Sequence, residues 1–453
     1  MLRPGAAHGY CVGLTTPAIL AGPIAVRSIP TSLAGCGQME EGRSMEAFQI
    51  DSARLWQSLM DMAKIGATPR GGVCRVALTD IDLQGRDLFV RWAREAGCEV
   101  EIDQMGNIFA RRPGTDNTLP PVLTGSHLDT QPTGGKFDGV YGVLAGLEVI
   151  RTLNDQHYAT RHPVEVVVWT NEEGSRFAPA MVASGVFAGE FSLDYGLSRS
   201  DLNGATIGQE LDRIGYAGLR TCGGQPLHAY FEAHIEQGPI LEAERRVIGV
   251  VQGLQGQRWF DCTIQGMESH AGTTPMPRRR DALLGAARII QAVQDAALAQ
   301  APYGVGTVGQ LLVHPNSRNV IPGRVDFSMD LRHPEDDPLK AMAEAVRAAI
   351  DRLGDLGLMG TLQEIWYAPP TPFHPDCIAL VRRAAEHLHF PHMDMISGAG
   401  HDAKYLAQVC PSAMIFIPCK DGISHNEIED ATPEDVAAGC NVLLQAVIEK
   451  ATE

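Results

Sequence analysis

The sequence predicts an α/β fold: a mixed sheet flanked by helices, interrupted by a smaller α+β unit. Two observations predict it. Short apolar runs rich in β-branched residues alternate with amphipathic helical stretches along the first half of the chain. Between about residues 253 and 367 lies a separable strand–helix–strand–helix block, and beyond it the first pattern resumes.

The first helical face is built by Phe48, Leu55, Leu59 and Met62, within the stretch from Ala47 to Ile65. Trp56 and Met60 flank that face, and residues 84–97 carry a second helical pattern. Val122 to Thr124 predicts a short strand ending at Gly125-Ser126-His127. Val140 to Leu153 predicts a helix with Val143, Leu144, Leu147 and Ile150 facing inward. Val164 to Thr170 is a β-branched run ending at Asn171-Glu172-Glu173. In the inserted block, strands at Trp259 to Ile264 and Arg324 to Leu331 alternate with helices at Asp281 to Leu298 and Pro338 to Leu353. Its exit, Ala368-Pro369-Pro370-Thr371-Pro372, has the composition of a stiff linker. Ala413 to Ile417 then predicts a buried strand. Thr432-Pro433-Glu434-Asp435 opens a last helix, with a capping Thr, a first-turn Pro and acids at the positive end of the dipole. The expected organisation is a disordered extension over 1–44, a discontinuous main domain over 45–252 and 368–453, and an inserted domain over 253–367.

At 453 residues the chain is about three times the common domain size, so more than one folding unit is expected. Lys plus Arg number 37 against 54 Asp plus Glu, a net charge of −17 without basic runs. Such a chain is poorly suited to nucleic acid or to anionic membranes, although a local basic pocket for a small anion is compatible with it. No apolar stretch reaches the 18 residues that suggest a membrane span. The ten cysteines are scattered, with no C-x-x-C pair, which fits reduced buried thiols in a cytoplasmic protein. The Gly-, Ala- and Pro-rich start has no clean signal-peptide core, and Met45 is an alternative start just before the amphipathic pattern.

The chemistry is concentrated in a few segments. They are Ser126-His127-Leu128-Asp129, Gly135-Lys136-Phe137-Asp138-Gly139, Asn171-Glu172-Glu173-Gly174, Glu232-Ala233-His234-Ile235-Glu236-Gln237-Gly238 and Gly422-Ile423-Ser424-His425-Asn426-Glu427. Each alone has an ordinary reading: a satisfied His, a solvated Glu pair, an Asp-Gly turn. Together they supply imidazoles and carboxylates without thiolates, at the ends of apolar strands, where α/β sheets place their ligands. That donor set suits Zn, Mn, Co or Ni in an open catalytic site.

These segments resemble the dinuclear metal-dependent amidases of the hydantoinase/carbamoylase branch, within the zinc aminoacylase and carboxypeptidase superfamily. The likeness continues through His270-Ala271-Gly272-Thr273-Thr274-Pro275, Asn319-Val320-Ile321-Pro322-Gly323, Asp330-Leu331-Arg332-His333-Pro334 and Ser397-Gly398-Ala399-Gly400-His401-Asp402. It spans the chain from about residue 46 to the end. Within the branch it is closest to N-carbamoyl-L-amino acid hydrolases and fungal-type β-ureidopropionases.

The resemblance implies two divalent ions per subunit, zinc foremost. His127, Asp138 and His234 would be ligands, with Asp138 bridging, and Glu173 and His425 would complete the ligand set of the second ion. Asp129 is expected to accept the second ring N–H of His127 and so to set its tautomer; as a sequence feature alone it also fits a turn cap. A water held between the ions is the expected nucleophile, and Glu172 its general base. His270 and Asn319 would stabilise the tetrahedral oxyanion, within or across subunits. Their bland readings are a turn cap and the start of a strand. Arg332 would clamp the substrate carboxylate with two parallel hydrogen bonds; its bland reading is an ion pair with Asp330 or Glu335. Gln237 is expected at the substrate's polar end, and His401-Asp402 behind the metals or facing substrate. The implied assembly is a homodimer, with the inserted domain as dimerisation surface and lid. The implied reaction converts an N-carbamoyl amino acid to amino acid, ammonia and carbon dioxide. Allantoate amidohydrolase, dipeptidase or aminoacylase, and a non-catalytic metal-bearing binding protein are the alternatives.

Overall fold

The computed structural model describes residues 48–453; the extension expected before Met45 lies outside them. The first part of the chain supplies β1 (Glu99–Ile102), β2 (Ile108–Arg112), β3 (Val122–His127), β4 (Val164–Trp169), β5 (Ala229–Ile235) and β6 (Ile248–Leu254). The middle supplies β7 (Gly256–Gln265), β8 (Ser269–His270), β9 (Val305–His314), β10 (Val320–Ile321), β11 (Arg324–His333) and β12 (Met359–Ala368). The last part supplies β13 (Thr371–Pro372), β14 (His392–Ser397) and β15 (Ser412–Ile417).

Nine strands form the main sheet, in the order β1-β2-β4-β3-β5-β15-β6-β13, with β14 also paired to β6. Its centre is parallel: β3 runs with β4 and β5, and β15 with β5. Antiparallel pairs flank it, β1 with β2 and β2 with β4 on one side and β15 with β6 on the other. The sheet is therefore mixed, as expected. β3, β4, β5 and β15 are buried along their whole length, which is why they read as apolar runs rather than as alternation. Helices Val140–Asp155 and Pro433–Thr452 pack on this sheet and bury most of their side chains. Thr432 caps the last helix by accepting from the Asp435 N–H at 3.0 Å. The first helix starts later than the apolar pattern, at Ser52, because Asp51 caps it through the Arg54 N–H.

The inserted segment has its own antiparallel sheet, ordered β12-β7-β11-β9, and its own apolar core. Helices Ala282–Leu298 and Asp336–Asp351 bury Ile289, Val293, Met342 and Val346 in that core. Two of its four strands, β9 and β12, are absent from the expected block. Both are edge strands with largely exposed side chains, so they lack the apolar run that marks β7 and β11. The Pro-rich exit is also more than a linker, since Thr371 and Pro372 pair with Leu254 and Gly253 of β6. No helix among the described residues is long and apolar enough to cross a membrane. Cys98, Cys262, Cys377, Cys410, Cys419 and Cys440 are buried free thiols, whereas Cys74 and Cys222 are half-buried.

Candidate active site

The parallel centre of the main sheet delivers four of the chemical segments to one end. His127 closes β3, Asn171-Glu172-Glu173 follows β4, His234 lies near the end of β5, and His425 follows β15. The carboxyl ends of parallel strands face a common crevice, so the topology brings together groups up to 298 positions apart, from His127 to His425. Asp138 joins them from the loop that opens helix Val140–Asp155. Several turns here hold a left-handed backbone on non-glycine residues: Asn171 at φ 58°, Gln237 at 56° and His425 at 52°. Such strain persists where the surroundings enforce it, and it clusters at functional sites.

Asp138 is the centre of the cluster. Its Oδ1 lies 3.2 Å from His234 Nε2 and 3.7 Å from His127 Nε2. Its Oδ2 lies 3.3 Å from His425 Nε2, which is 3.4 Å from Glu173 Oε2. Two sets of donors, His127–Asp138–His234 and Asp138–Glu173–His425, each lie within 4.8 Å and share one carboxylate, while a third, Glu232–His234–His401, shares His234 with the first. Nitrogen and oxygen donors without sulfur fit Zn, Mn, Co or Ni. The two inner imidazoles are already oriented for this. His127 Nδ1 faces the Asp129 carbonyl at 2.8 Å, and His234 Nδ1 faces the Ile235 carbonyl at 2.9 Å. A carbonyl can only accept, so Nδ1 carries the proton and Nε2 keeps its lone pair toward Asp138.

Close packing fixes these rings. Gly139 has φ 67°, and a Cβ there would lie 2.3 Å from His127 Nε2. Only glycine lets the helix start approach the imidazole so nearly.

Asp129 supports the site differently from expectation. It is its backbone carbonyl, not its carboxylate, that holds the His127 ring; the nearer carboxylate oxygen is 3.9 Å away. The carboxylate instead accepts from the N–H groups of Glu172 at 3.2 Å and Glu173 at 3.3 Å. It thus braces the turn that presents both glutamates.

Glu172 is buried, with Oε2 3.5 Å from His127 Nε2. Burial, and then the like charges of Asp402 and Glu173, push its carboxyl well above the ordinary range despite the opposing pull of His127. Glu173 is held by Gln131, whose backbone N–H and side-chain amide donate at 3.1 and 2.6 Å. Burial, then the charge of Asp138, raises Glu173 to about 7. His425 is pushed up to about 9, chiefly by its contact with Asp138. At neutral pH His425 then carries a proton and Glu173 carries one in about half of the molecules, and an incoming cation must displace them. Because both pKa values are raised, protons compete harder as pH falls. Cation affinity is expected to drop by about tenfold per pH unit for each proton displaced. Calorimetry in buffers of different ionisation enthalpy checks this, and binding without proton release would contradict it.

Gln237 donates from Nε2 to Asp138 Oδ2 at 2.9 Å and to Ser424 Oγ at 3.2 Å, so its amide nitrogen holds the shared carboxylate. His401 is buried; its Nε2 lies 3.1 Å from Ser397 Oγ and its ring centroid 4.5 Å from that of His234. Burial holds this imidazole neutral, well below its usual pKa. Asp402 lies deeper, bonded to Ser184, and Glu232 accepts from Ser126, Tyr230 and the Ala403 N–H.

A cavity of about 350 Å³ opens on the cluster and reaches the inserted unit, where Arg332 lines it. Arg332 makes the ion pair of its bland reading, through Nε and Nη2 to Asp330 at 2.7–3.1 Å, and also donates from Nη1 to the Gly398 carbonyl. Two of the five guanidinium N–H groups remain for a ligand. His270 pairs with Val320 on the short β8–β10 ladder and Asn319 lies just before it, its carbonyl accepting from the Ala271 N–H, but both are exposed and neither lines the cavity of this chain. His270 Nδ1 accepts from the Gly272 and Thr273 N–H groups, a turn cap.

Glu429 is a site residue that sequence reading passes over. It is buried, and its Oε1 accepts from the N–H groups of Phe137 and Asp138 at 3.0 and 3.1 Å, while Oε2 accepts from Ser424. It ties the Asp138 loop to the His425 loop. Four residues past His425 in an acidic turn, it has no mark in the sequence that separates it from its half-buried neighbours Glu427 and Asp430.

Comparison with known proteins agrees with this geometry. The profile of peptidase family M20/M25/M40 matches residues 123–449, more than half of the chain. The chain belongs to that family. Among its relatives in the M20 family, an N-carbamoyl-L-amino-acid amidohydrolase of Rhizobium meliloti is 51% identical, covering 89% of this chain and 97% of the relative. The allantoate amidohydrolase of Escherichia coli is 34% identical, over 85% of this chain and 95% of the relative. A solved hydantoinase/carbamoylase family amidase from Burkholderia multivorans superposes with a TM-score of 0.88 at 64% identity, covering 90% of this chain and 99% of that one. This M20 chain is a metal-dependent amidohydrolase of the hydantoinase/carbamoylase branch, with the branch's mixed α/β architecture.

Proposed function

We propose that this enzyme hydrolyses the carbamoyl C–N bond of N-carbamoyl amino acids, either N-carbamoyl-L-amino acids or N-carbamoyl-β-alanine. The products are the amino acid, ammonia and carbon dioxide. The observation that carries the reading is the single carboxylate of Asp138 shared by two donor sets, with Glu172 beside them. The substrate class rests on the 51% identical relative, named for N-carbamoyl-L-amino acids.

His127, Asp138 and His234 would hold one divalent cation, and Asp138, Glu173 and His425 a second, with zinc foremost and Mn, Co or Ni also suited to the donors. Such cations acidify water and polarise a carbonyl. Glu172 accepts the proton of the attacking water and delivers it to the departing nitrogen. Water oxygen adds to the carbamoyl carbon, the bond to the amino-acid nitrogen breaks, and the released carbamate yields ammonia and carbon dioxide. Arg332 pairs with the substrate carboxylate through its remaining N–H groups.

His270 and Asn319 are inferred to act on the site of a second copy in a homodimer, because they are adjacent and exposed yet outside their own cavity. The segment 253–367 then serves as dimerisation domain and lid to a catalytic domain formed by 45–252 and 368–453. A cytoplasmic location fits the free thiols.

The test is ammonia release by metal-reconstituted enzyme from N-carbamoyl-L-amino acids, N-carbamoyl-β-alanine and allantoate, with dipeptides as controls. Carbamoyl substrates are expected to lead. Preferred turnover of allantoate would move the function toward the 34% identical relative, and dipeptide cleavage without ammonia would sink carbamoyl hydrolysis.

A further inference from the structure

The cavity has a second wall that the chemistry above leaves without a role. Trp259 on β7 and Trp366 on β12 both line it, and both are unusually open for indoles, 41% and 37% exposed. Their ring centroids are 4.8 Å apart with planes inclined at 59°. The pairing is built into the sheet. The β7–β12 register shifts between Glu364 and Trp366, which sets Trp366 opposite Trp259. Irregularities of this kind re-aim a side chain and are frequent beside active sites. Lys404, from the main domain and also lining the cavity, places Nζ 5.2 Å from the Trp366 ring centroid, a cation–π contact that steadies that ring.

Leu254 and Met181 continue the apolar wall from the main domain. Met181 keeps a left-handed backbone at φ 55° while its side chain packs toward Gly400, another cavity residue. The same cavity thus has metal donors at one end, Arg332 for an anion, and an open aromatic surface. A cavity with a few convergent polar groups and an otherwise apolar lining is built for a ligand with one polar end and one apolar end.

We propose that Trp259 and Trp366 form the side-chain subsite of this enzyme, selecting N-carbamoyl α-amino acids with large apolar or aromatic side chains over N-carbamoylglycine and N-carbamoyl-β-alanine. This rests on the carbamoyl-hydrolysis reading and names its substrate class. A substrate without a side chain leaves both indoles facing water, whereas a benzyl group covers them.

Steady-state ammonia release from N-carbamoyl-L-phenylalanine and N-carbamoylglycine, by the metal-loaded full chain, tests it. The wild type is expected to favour the phenylalanine substrate by at least about tenfold in kcat/KM. Trp366→Ala should lower kcat/KM for that substrate about 10- to 100-fold, mainly through KM, and leave the glycine substrate within about twofold. Trp366→Phe should restore most of the difference, and Trp259→Ala should resemble Trp366→Ala. An equal fall for both substrates, or no preference in the wild type, overturns the subsite. Dipeptide cleavage without ammonia from either carbamoyl substrate overturns the underlying reading instead, and the two failures are told apart by whether ammonia appears.

Discussion

Glu172→Gln is expected to lower turnover of N-carbamoyl amino acids by about 10²–10⁴-fold, the range for loss of a positioned proton carrier. Metal content and melting temperature should stay those of the parent chain. The reasoning is geometric. Glu172 sits 3.5 Å from His127 Nε2, at the edge of the first donor set, but it belongs to neither group of converging ligand atoms. Its neighbour Glu173 belongs to the second group. One turn, braced by the Asp129 carboxylate through both backbone N–H groups, would therefore separate the proposed proton-carrying role from the proposed ligand role in adjacent residues. Gln keeps the shape and removes the basic oxygen. Retained turnover would end the assignment, and loss of metal would move Glu172 into the ligand shell.

Asp138→Ala should be more damaging still, because it removes the one group common to both donor sets. Metal stoichiometry by elemental analysis after dialysis is expected to fall from two ions per chain to one or none. Activity should drop by more than the about 10–100-fold typical of losing a group that merely supports a ligand. Two ions retained at parental affinity would refute the bridging role. Loss of the Asp138 carboxylate also leaves Gln237 and Ser424 without their acceptor, while Glu429 keeps the backbone N–H groups of Phe137 and residue 138, so circular dichroism should accompany the metal measurement.

The cluster of candidate donors was legible in the primary structure. His127, Glu172, Glu173, His234 and His425 stand at or after the ends of apolar strands and Asp138 just before a helix, and charged residues at strand ends are not needed for folding. The central strands were legible for the same reason: burial on both faces makes β3, β4, β5 and β15 continuous apolar runs. β9 and β12 were not, because an exposed edge strand carries little hydrophobic signal. Glu429 escaped notice since nothing local distinguishes a carboxylate that will be buried against two backbone N–H groups from one that will be solvated. The role of Asp129 was misplaced by one bond length of logic: spacing put it beside His127, but only the folded turn decides whether carbonyl or carboxylate faces the ring.

By itself the sequence determined the fold class and pointed to an imidazole and carboxylate donor set, because periodicity and residue chemistry are local properties. Tertiary structure decided the rest: that Asp138 offers one oxygen to each donor set, that Arg332 is shared between Asp330 and the cavity, and that Trp259 and Trp366 meet at a shifted register. It also separated His270 and Asn319 from the cavity of their own chain. These are relations between residues far apart in the chain. They are set by strand order and close packing, which leave no trace in any one segment.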